Sequence, residues 1–410
     1  MDLTWSPDED DFRTEARRWL EDNVPSPPLP SGDTAEGFAS HLEWERRLFA
    51  NRWAVVSWPV EFGGRGASLW EWLIFEEEYY RAGAPQRVTQ NGIFLLAPTI
   101  FEFGTPAQQE YYLPRMAAAD DLWCQGWSEP NAGSDLAGIT SKAVRDDVAG
   151  GWRLYGQKTW TTRGAFCTHL FGLFRTDPDS TRHHGLTYLL VPLDAEGITV
   201  RGFGRLDGDE GFAEVFFDGA FVPDGDNDPA AGGVLGDVDG GWGVAMATTS
   251  SERGLTLRSP GRFRAASSRL VDLARRHADA VEDDPTLADA VTRAWIDAEA
   301  YALYTLQDVT GIVEGRSPGA RSSLNKIFWS ELDVRLHEAA LRLLGGEAEL
   351  EYLYPGEAPD GEPSGGDATT RIENPWLKGY QFSLSGPIYA GTNEIQRNIV
   401  AERVLGLPRK

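Results

Sequence analysis

The sequence predicts an α+β chain of three domains: an N-terminal helical domain over 1–120, a small middle β barrel or sandwich over 121–235, and a C-terminal four-helix bundle over 236–410. Three observations carry this reading. Apolar residues recur at helical spacing to about Ala119, as in "SPDEDDFRTEARRWLEDNV" and "SLWEWLIFEEEYYRAG". From Leu122 to Asp224 the texture changes to short β-branched and aromatic runs separated by Gly, Asp and Pro. Beyond "GGVLGDVDGGW" long helical patterns return.

Taken in order, the first helix should start at Ser6 or Asp8, both good N-caps, and Gly83 should stop the helix before it. In the middle section "GWRLYGQKTWTT", "HLFGLFRT", "GLTYLLVPL", "ITVRGF" and "AEVFFDGAFVP" each read as a strand. In the last section "AMATTSSERGLTLRSPGRFRAASSRLVDLARR", "LADAVTRAWIDAEAYALYTLQDVTGIV" and "SLNKIFWSELDVRLHEAALRLLGG" read as helices. The stretch "YPGEAPDGEPSGGDATT", rich in Pro, Gly and Asp, is expected to be a surface loop within the bundle.

Composition narrows the function classes. The chain carries 63 acidic against 38 basic side chains, for a net charge of −25. Such a field repels polyphosphate and anionic lipid, so neither nucleic acid nor a membrane is expected as a partner. Only 5 of the basic residues are Lys, against 33 Arg. A salt-adapted host and ordinary acidic solubility both fit this balance, because salt screens self-repulsion. There is no long apolar run, and the acidic start "MDLTWSPDEDDF" does not resemble a secretory signal, so a cytoplasmic location is expected. Cys124 and Cys167 lie far apart without a CxxC or Cys/His cluster, so they are expected to be small buried residues and no metal site is expected.

Four separated segments narrow the function. "WCQGWSEPNAGSDLAG", "LYGQKTWTT", "LDGDEGFAEVFFDGAFVP" and "IYAGTNEIQRNIVAERVLGL" resemble the acyl-CoA dehydrogenases, in that family's order and spacing, and the likeness runs from about residue 40 to the end. The resemblance implies FAD as cofactor, α,β-dehydrogenation of an acyl-CoA thioester as the reaction, and an electron-transferring flavoprotein as electron acceptor. It also implies an oligomer, either a homodimer or homotetramer or a mixed assembly. A flavin needs polar contacts along its ring edge, a wall along one face, and phosphates met by hydrogen bonds. Ser128, Gly133 and Ser134 lie in a turn whose N–H and hydroxyl groups suit those oxygens. By resemblance these residues contact FAD together with Gln125 and Trp127, and Ser134 also approaches the CoA arm. Trp160, Thr161 and Thr162 match the positions that pack against and bond the flavin ring. Gly345, Gly346, Thr392 and Glu394 match cofactor positions, Thr392 the better of the last two because a carboxylate facing a phosphate is repelled.

The resemblance also raises a question about the base. Many members carry the catalytic glutamate immediately before Gly-Thr, where this chain has Ala390 between Tyr389 and Gly391. A second group places it on a helix at the start of the bundle, and Glu252 in "TTSSERGLTLR" matches that location. Small, apolar surroundings raise a Glu pKa and suit a base near neutral pH. Glu252 is therefore the expected base, with Arg253 shaping the substrate end alongside Tyr389, Ala390 and Gly391; Ala390 keeps a backbone N–H for the thioester oxygen. Two departures stand out. "LARRHADAVEDDP" replaces the family's "RxxFG", leaving Arg275 or Arg276 as substitutes, and Arg342 lies near the Gly pair where many members have Gln. A noncatalytic partner subunit, and an oxidase or monooxygenase on the same fold, are the alternative readings.

Overall fold

The computed structural model describes residues 4–224, 229, 232–253, 259–316, 319–350, 352–353 and 372–409. It divides into two compact units, Met1–Ser259 and Pro260–Lys410.

The first unit opens with α1 (Pro7–Asn23), α2 (Ala35–Ala50) and α3 (Leu69–Arg81), followed by a π-helical segment (Asn91–Leu96), α4 (Ala97–Phe103) and α5 (Pro106–Ala117). Ser6 caps α1 through a reciprocal capping box with Glu9, as its position before an acidic first turn predicts. Ser68 does the same for α3 with Glu71. After α3, Gly83 takes a left-handed φ of 67°, the conformation that ends helices cheaply only at glycine. Glu78 on α3 holds α1 against it: its buried carboxylate accepts from Arg17 at 2.8 Å, Arg13 at 2.9 Å and Arg81 at 2.7 Å.

Strands β1 (Trp123–Gly126), β2 (Lys142–Asp146), β3 (Gly151–Thr162), β4 (His169–Arg175), β5 (Leu186–Pro192), β6 (Ile198–Phe203), β7 (Phe212–Pro223) and β8 (Gly233–Val234) join in one eight-stranded sheet. Its order is β6-β7-β3-β2-β4-β5-β8, with β1 pairing parallel to β4. Leu154, Leu170, Phe174, Leu189, Val215 and Val222 are buried together in its core. Helix α6 (Gly241–Arg253) follows and belongs to this unit. Sequence periodicity runs α6 and the next helix together. The structure separates them, and the Ser259-Pro260 pair is the local reason, since proline suits the first turn of a new helix.

The second unit contains α7 (Pro260–Arg276), α8 (Ala278–Asp283), α9 (Pro285–Val313), α10 (Ser322–Leu344), α11 (Pro375–Ser383) and α12 (Asn393–Ile399). Leu270, Leu287, Val291, Leu336 and Leu343 form the main contact of α7, α9 and α10. Arg342 ties the end of α10 to the start of α9 through Asp284 at 3.1 Å and Thr286 at 2.6 Å. The stretch 354–370 expected to be a loop lies outside the described residues. No helix among the described residues is long and apolar enough to cross a membrane.

Candidate functional site

In the first unit the site residues come from β1, the turn after it, and the end of β3. The "SEPN" turn is fixed to β3 by two interactions. Thr159 donates its N–H to the Ser128 carbonyl at 2.9 Å. The Lys158 ammonium, fully buried, donates to Glu129 at 2.8 Å. The other Glu129 oxygen accepts the Thr140 N–H at 2.7 Å and the Thr140 hydroxyl at 2.9 Å, while the first also accepts the Ser141 N–H at 2.9 Å. Burial acts to raise the Glu129 carboxyl, but the Lys158 charge and these donors outweigh it and hold the group down to about 2. Neither residue is a candidate site residue in the sequence reading. The signal was present in "YGQKTW", where a lysine interrupts a strand whose neighbours face the core.

Near its end β3 carries a bulge, since its register against β7 shifts between Lys158 and Thr161. Trp160 sits in this bulge at a φ of 58°, and its indole is 60% exposed. Its edge rests on Phe203 at 5.3 Å and Phe212 at 5.6 Å. Bulges re-aim side chains in this way next to sites. Thr161 is fully buried and Thr162 half-buried; the Thr162 carbonyl accepts from Asn91 at 3.5 Å. Arg163 follows in a left-handed conformation, its Nε on Asp33 at 2.7 Å.

Among the buried polar atoms of the described residues that have no partner in the protein are Gln125 Nε2, Trp127 Nε1 and Thr161 Oγ1, with Trp123 Nε1, Trp152 Nε1 and Arg163 Nη1 also on or beside β1 and β3. An unmet buried polar group costs about 1–3 kcal/mol, so groups of this kind at Gln125, Trp127 and Thr161 suit a ligand with nitrogen and oxygen around its rim. Ser128 is half-buried, and Gly133 and Ser134 are exposed on the turn, with open space where a Gly133 Cβ would lie. Asp135 pairs outward with Arg182 at 2.7 Å. A flavin, with its polar ring edge and a face that needs a wall, fits this set of groups.

Glu252 and Arg253 occupy the last turn of α6, and their side chains lie outside the described residues. The helix itself is anchored one turn earlier. Thr248 shares a buried hydrogen bond of 2.9 Å with Thr99 on α4 and one of 3.3 Å with the Tyr188 hydroxyl on β5.

In the second unit the C-terminal motif forms a turn into α12. Ala390 and Gly391 are both left-handed, with φ of 58° and 78°. The Gln396 amide holds them from the helix, donating to the Ala390 carbonyl at 2.9 Å and the Gly391 carbonyl at 3.2 Å. Thr392 is the N-cap and accepts the Ile395 N–H. Tyr389 packs against Trp329 at 6.0 Å. Glu394 is exposed beside Arg397. Gly345, at a φ of 55°, and Gly346 lie at the end of α10 with nothing near their Cβ positions. Arg275 pairs with Asp272 at 2.9 Å within α7.

Comparison with known proteins gives a consistent match. Family models described as acyl-CoA dehydrogenase N-terminal, middle and C-terminal domains match residues 6–120, 124–220 and 239–405. The chain is 41% identical to acyl-CoA dehydrogenase IpdE1 of Mycobacterium tuberculosis, over 98% of this chain and 99% of that protein. It is 40% identical to the protein of the same name from Mycolicibacterium smegmatis, covering 98% of each. Among solved structures it resembles the Tcur3481-Tcur3483 steroid ACAD, with a TM-score of 0.82, 25% identity and full coverage of both chains. It also resembles the ChsE4-ChsE5 complex from Mycobacterium tuberculosis, with a TM-score of 0.78, 27% identity and full coverage of both.

Proposed function

The chain belongs to the acyl-CoA dehydrogenase family, FAD-dependent oxidoreductases that act on acyl-CoA, and from that premise we propose that Glu252 is the base that removes the substrate α-proton. FAD, when bound, supplies the acceptor for the β-hydrogen as hydride. Gln125, Trp127, Ser128, Trp160, Thr161 and Thr162 would hold its ring, with the 133–134 turn beside them. The observation that carries the reading is a pair of positions. Ala390, before Gly-Thr, has a methyl group that cannot take a proton, whereas α6 bears one carboxylate, Glu252. A positioned carboxylate is the group the reaction needs, because a proton beside a thioester is weakly acidic. As it leaves, negative charge grows on the thioester oxygen, and the reaction needs a hydrogen-bond donor to meet it.

We further infer that the acyl group is bulky, since a structure of this fold is titled a steroid ACAD. An electron-transferring flavoprotein would reoxidise the enzyme. The assembly would be a homodimer, a homotetramer or a mixed pair of chains, the last supported by the ChsE4-ChsE5 complex among the neighbours. The test is anaerobic titration of the FAD-loaded protein with ring-bearing and straight-chain CoA esters. Bleaching of the flavin band by the ring-bearing esters at low concentration is the expected result. No bleaching by any ester would contradict an active dehydrogenase.

A further inference from the structure

The chain has two cysteines, Cys124 and Cys167, far apart in sequence, and the fold of the first unit brings them together. Cys124 sits on β1 and is fully buried. Cys167 follows the short 3-10 turn Gly164–Phe166 and is half-buried, packed against the sheet core that contains Cys124. The backbone fixes both positions. β1 pairs with β4 from Trp123 opposite His169 to Gly126 opposite Gly172. Just before that ladder the Leu122 N–H donates to the Thr168 hydroxyl at 2.9 Å, and the Thr168 N–H donates to the Leu122 carbonyl at 2.9 Å. The Cys124 thiol donates to the His169 carbonyl at 3.3 Å, and its sulfur also lies within hydrogen-bond reach of the Cys167 thiol. A residue touches about 6–12 others, so two cysteines placed at random in a chain this long would meet about 2% of the time. Between the two cysteines in sequence lie the side chains proposed to hold the flavin ring, Gln125, Trp127, Ser128, Trp160, Thr161 and Thr162, with the 133–134 turn among them.

We propose that Cys124 and Cys167 form a reversible disulfide that closes residues 125–166 into a loop and slows the release of FAD from it. The clamp rests on the reading of those residues as the flavin site; the bridge does not. Both thiols are free in this structure, so the bridge is a second state reached by oxidation. The oxidant is a low-molecular-weight disulfide. Burial pushes the Cys124 thiol well above its ordinary range, which makes it the poorer first nucleophile, and the half-buried Cys167 is the sulfur that solvent reaches.

The Cys167 thiolate attacks the small disulfide, one of the two small sulfurs leaves as a thiol, and a mixed disulfide forms at Cys167. Cys124 then gives up its proton and attacks the Cys167 sulfur, and the second small thiol leaves. Two protein thiols and one small disulfide thus become one protein disulfide and two small thiols, so hydrogens and electrons balance. A bound cofactor leaves through local opening of the segment that holds it, and a closed loop has fewer open conformations to reach.

The test uses the full FAD-loaded chain, reduced, desalted and then incubated with oxidised glutathione. The expected product is lighter by about 2 Da, two hydrogens lost, with no thiol left for alkylation after unfolding. Proteolysis should yield peptides of Cys124 and Cys167 joined to each other and separated by reduction. Cys124→Ala should stop at a glutathione adduct on Cys167. Two free thiols in the wild type after this treatment, or an adduct on Cys167 without a bridge, would overturn the proposal whether or not the variant folds. Flavin release on gel filtration should be about tenfold slower in the bridged protein, and a reducing thiol should restore the faster rate. A bridge that forms while FAD leaves equally fast from both states would overturn the clamp. Failure of the flavin-site reading shows separately, as unchanged FAD retention in Trp160→Gly.

Discussion

Glu129 and Lys158 show what a single ion pair does for this site. The pair fixes the "SEPN" turn, which follows Gln125 and Trp127 in the chain, to β3, which carries Thr161. Removing one partner of a buried pair leaves the other charged and uncompensated, so Glu129→Gln should destabilise the protein by about 3–5 kcal/mol. Adding Lys158→Met should restore much of that loss while FAD retention stays impaired. Urea midpoints for the single and double variants, together with flavin content, are the check. The pH dependence has a definite sign. With its folded-state carboxyl held at about 2, below the ordinary 4.5, Glu129 contributes fully above about pH 4.5 and its contribution is lost as pH falls toward 2. Stability measured from pH 6 down to pH 3 should fall more steeply in the wild type than in Glu129→Gln. These two residues are not legible as site residues in the sequence, because a bracing pair touches only protein and matches no ligand-contacting pattern. Trp160 and the turn residues are expected at the cofactor because family motifs mark them.

The elements differ in how far local sequence determines them. The start of α1 at Ser6 and the stop at Gly83 were legible because caps and left-handed glycines act within a few residues. The bulge at Trp160 was not, since it exists only in register with β7. That bulge carries its own prediction. The left-handed backbone costs a tryptophan about 1 kcal/mol that glycine would not pay, and the exposed indole buries little. Trp160→Gly should therefore leave the unfolding midpoint nearly unchanged, a shift of about 1 kcal/mol or less either way. The same change should weaken FAD retention, measured as flavin released on gel filtration. A large loss of stability with FAD still bound would show that the indole serves the fold and not the cofactor.

At the scale of the whole chain, the α+β architecture followed from the switch in periodicity at about residue 120 and the return of helical patterns beyond residue 236, and the family followed from four spaced motifs. The division that the coordinates make, at Ser259, was harder to read because α6 shares its apolar spacing with the bundle helices yet packs through Thr248 onto Thr99 and Tyr188. Assembly was not legible either, because it depends on surfaces and not on the pattern along one chain. The purified protein should be yellow and run as a dimer or tetramer in light scattering, alone or with a second chain type. A monomeric mass with full FAD occupancy would contradict the proposed assembly.

The central claim is that the proton acceptor has moved from position 390 to Glu252. Glu252→Gln keeps the volume and a polar end but cannot take a proton, so it tests this most directly. In anaerobic stopped-flow reduction with a saturating CoA ester, the variant should retain FAD while the flavin absorbance decays about 100-fold more slowly, or slower still, as loss of a general base implies. Reduction at the wild-type rate would show that Glu252 is not the base and would return the search to other carboxylates, such as Glu331 or Glu338 on α10, or to another subunit.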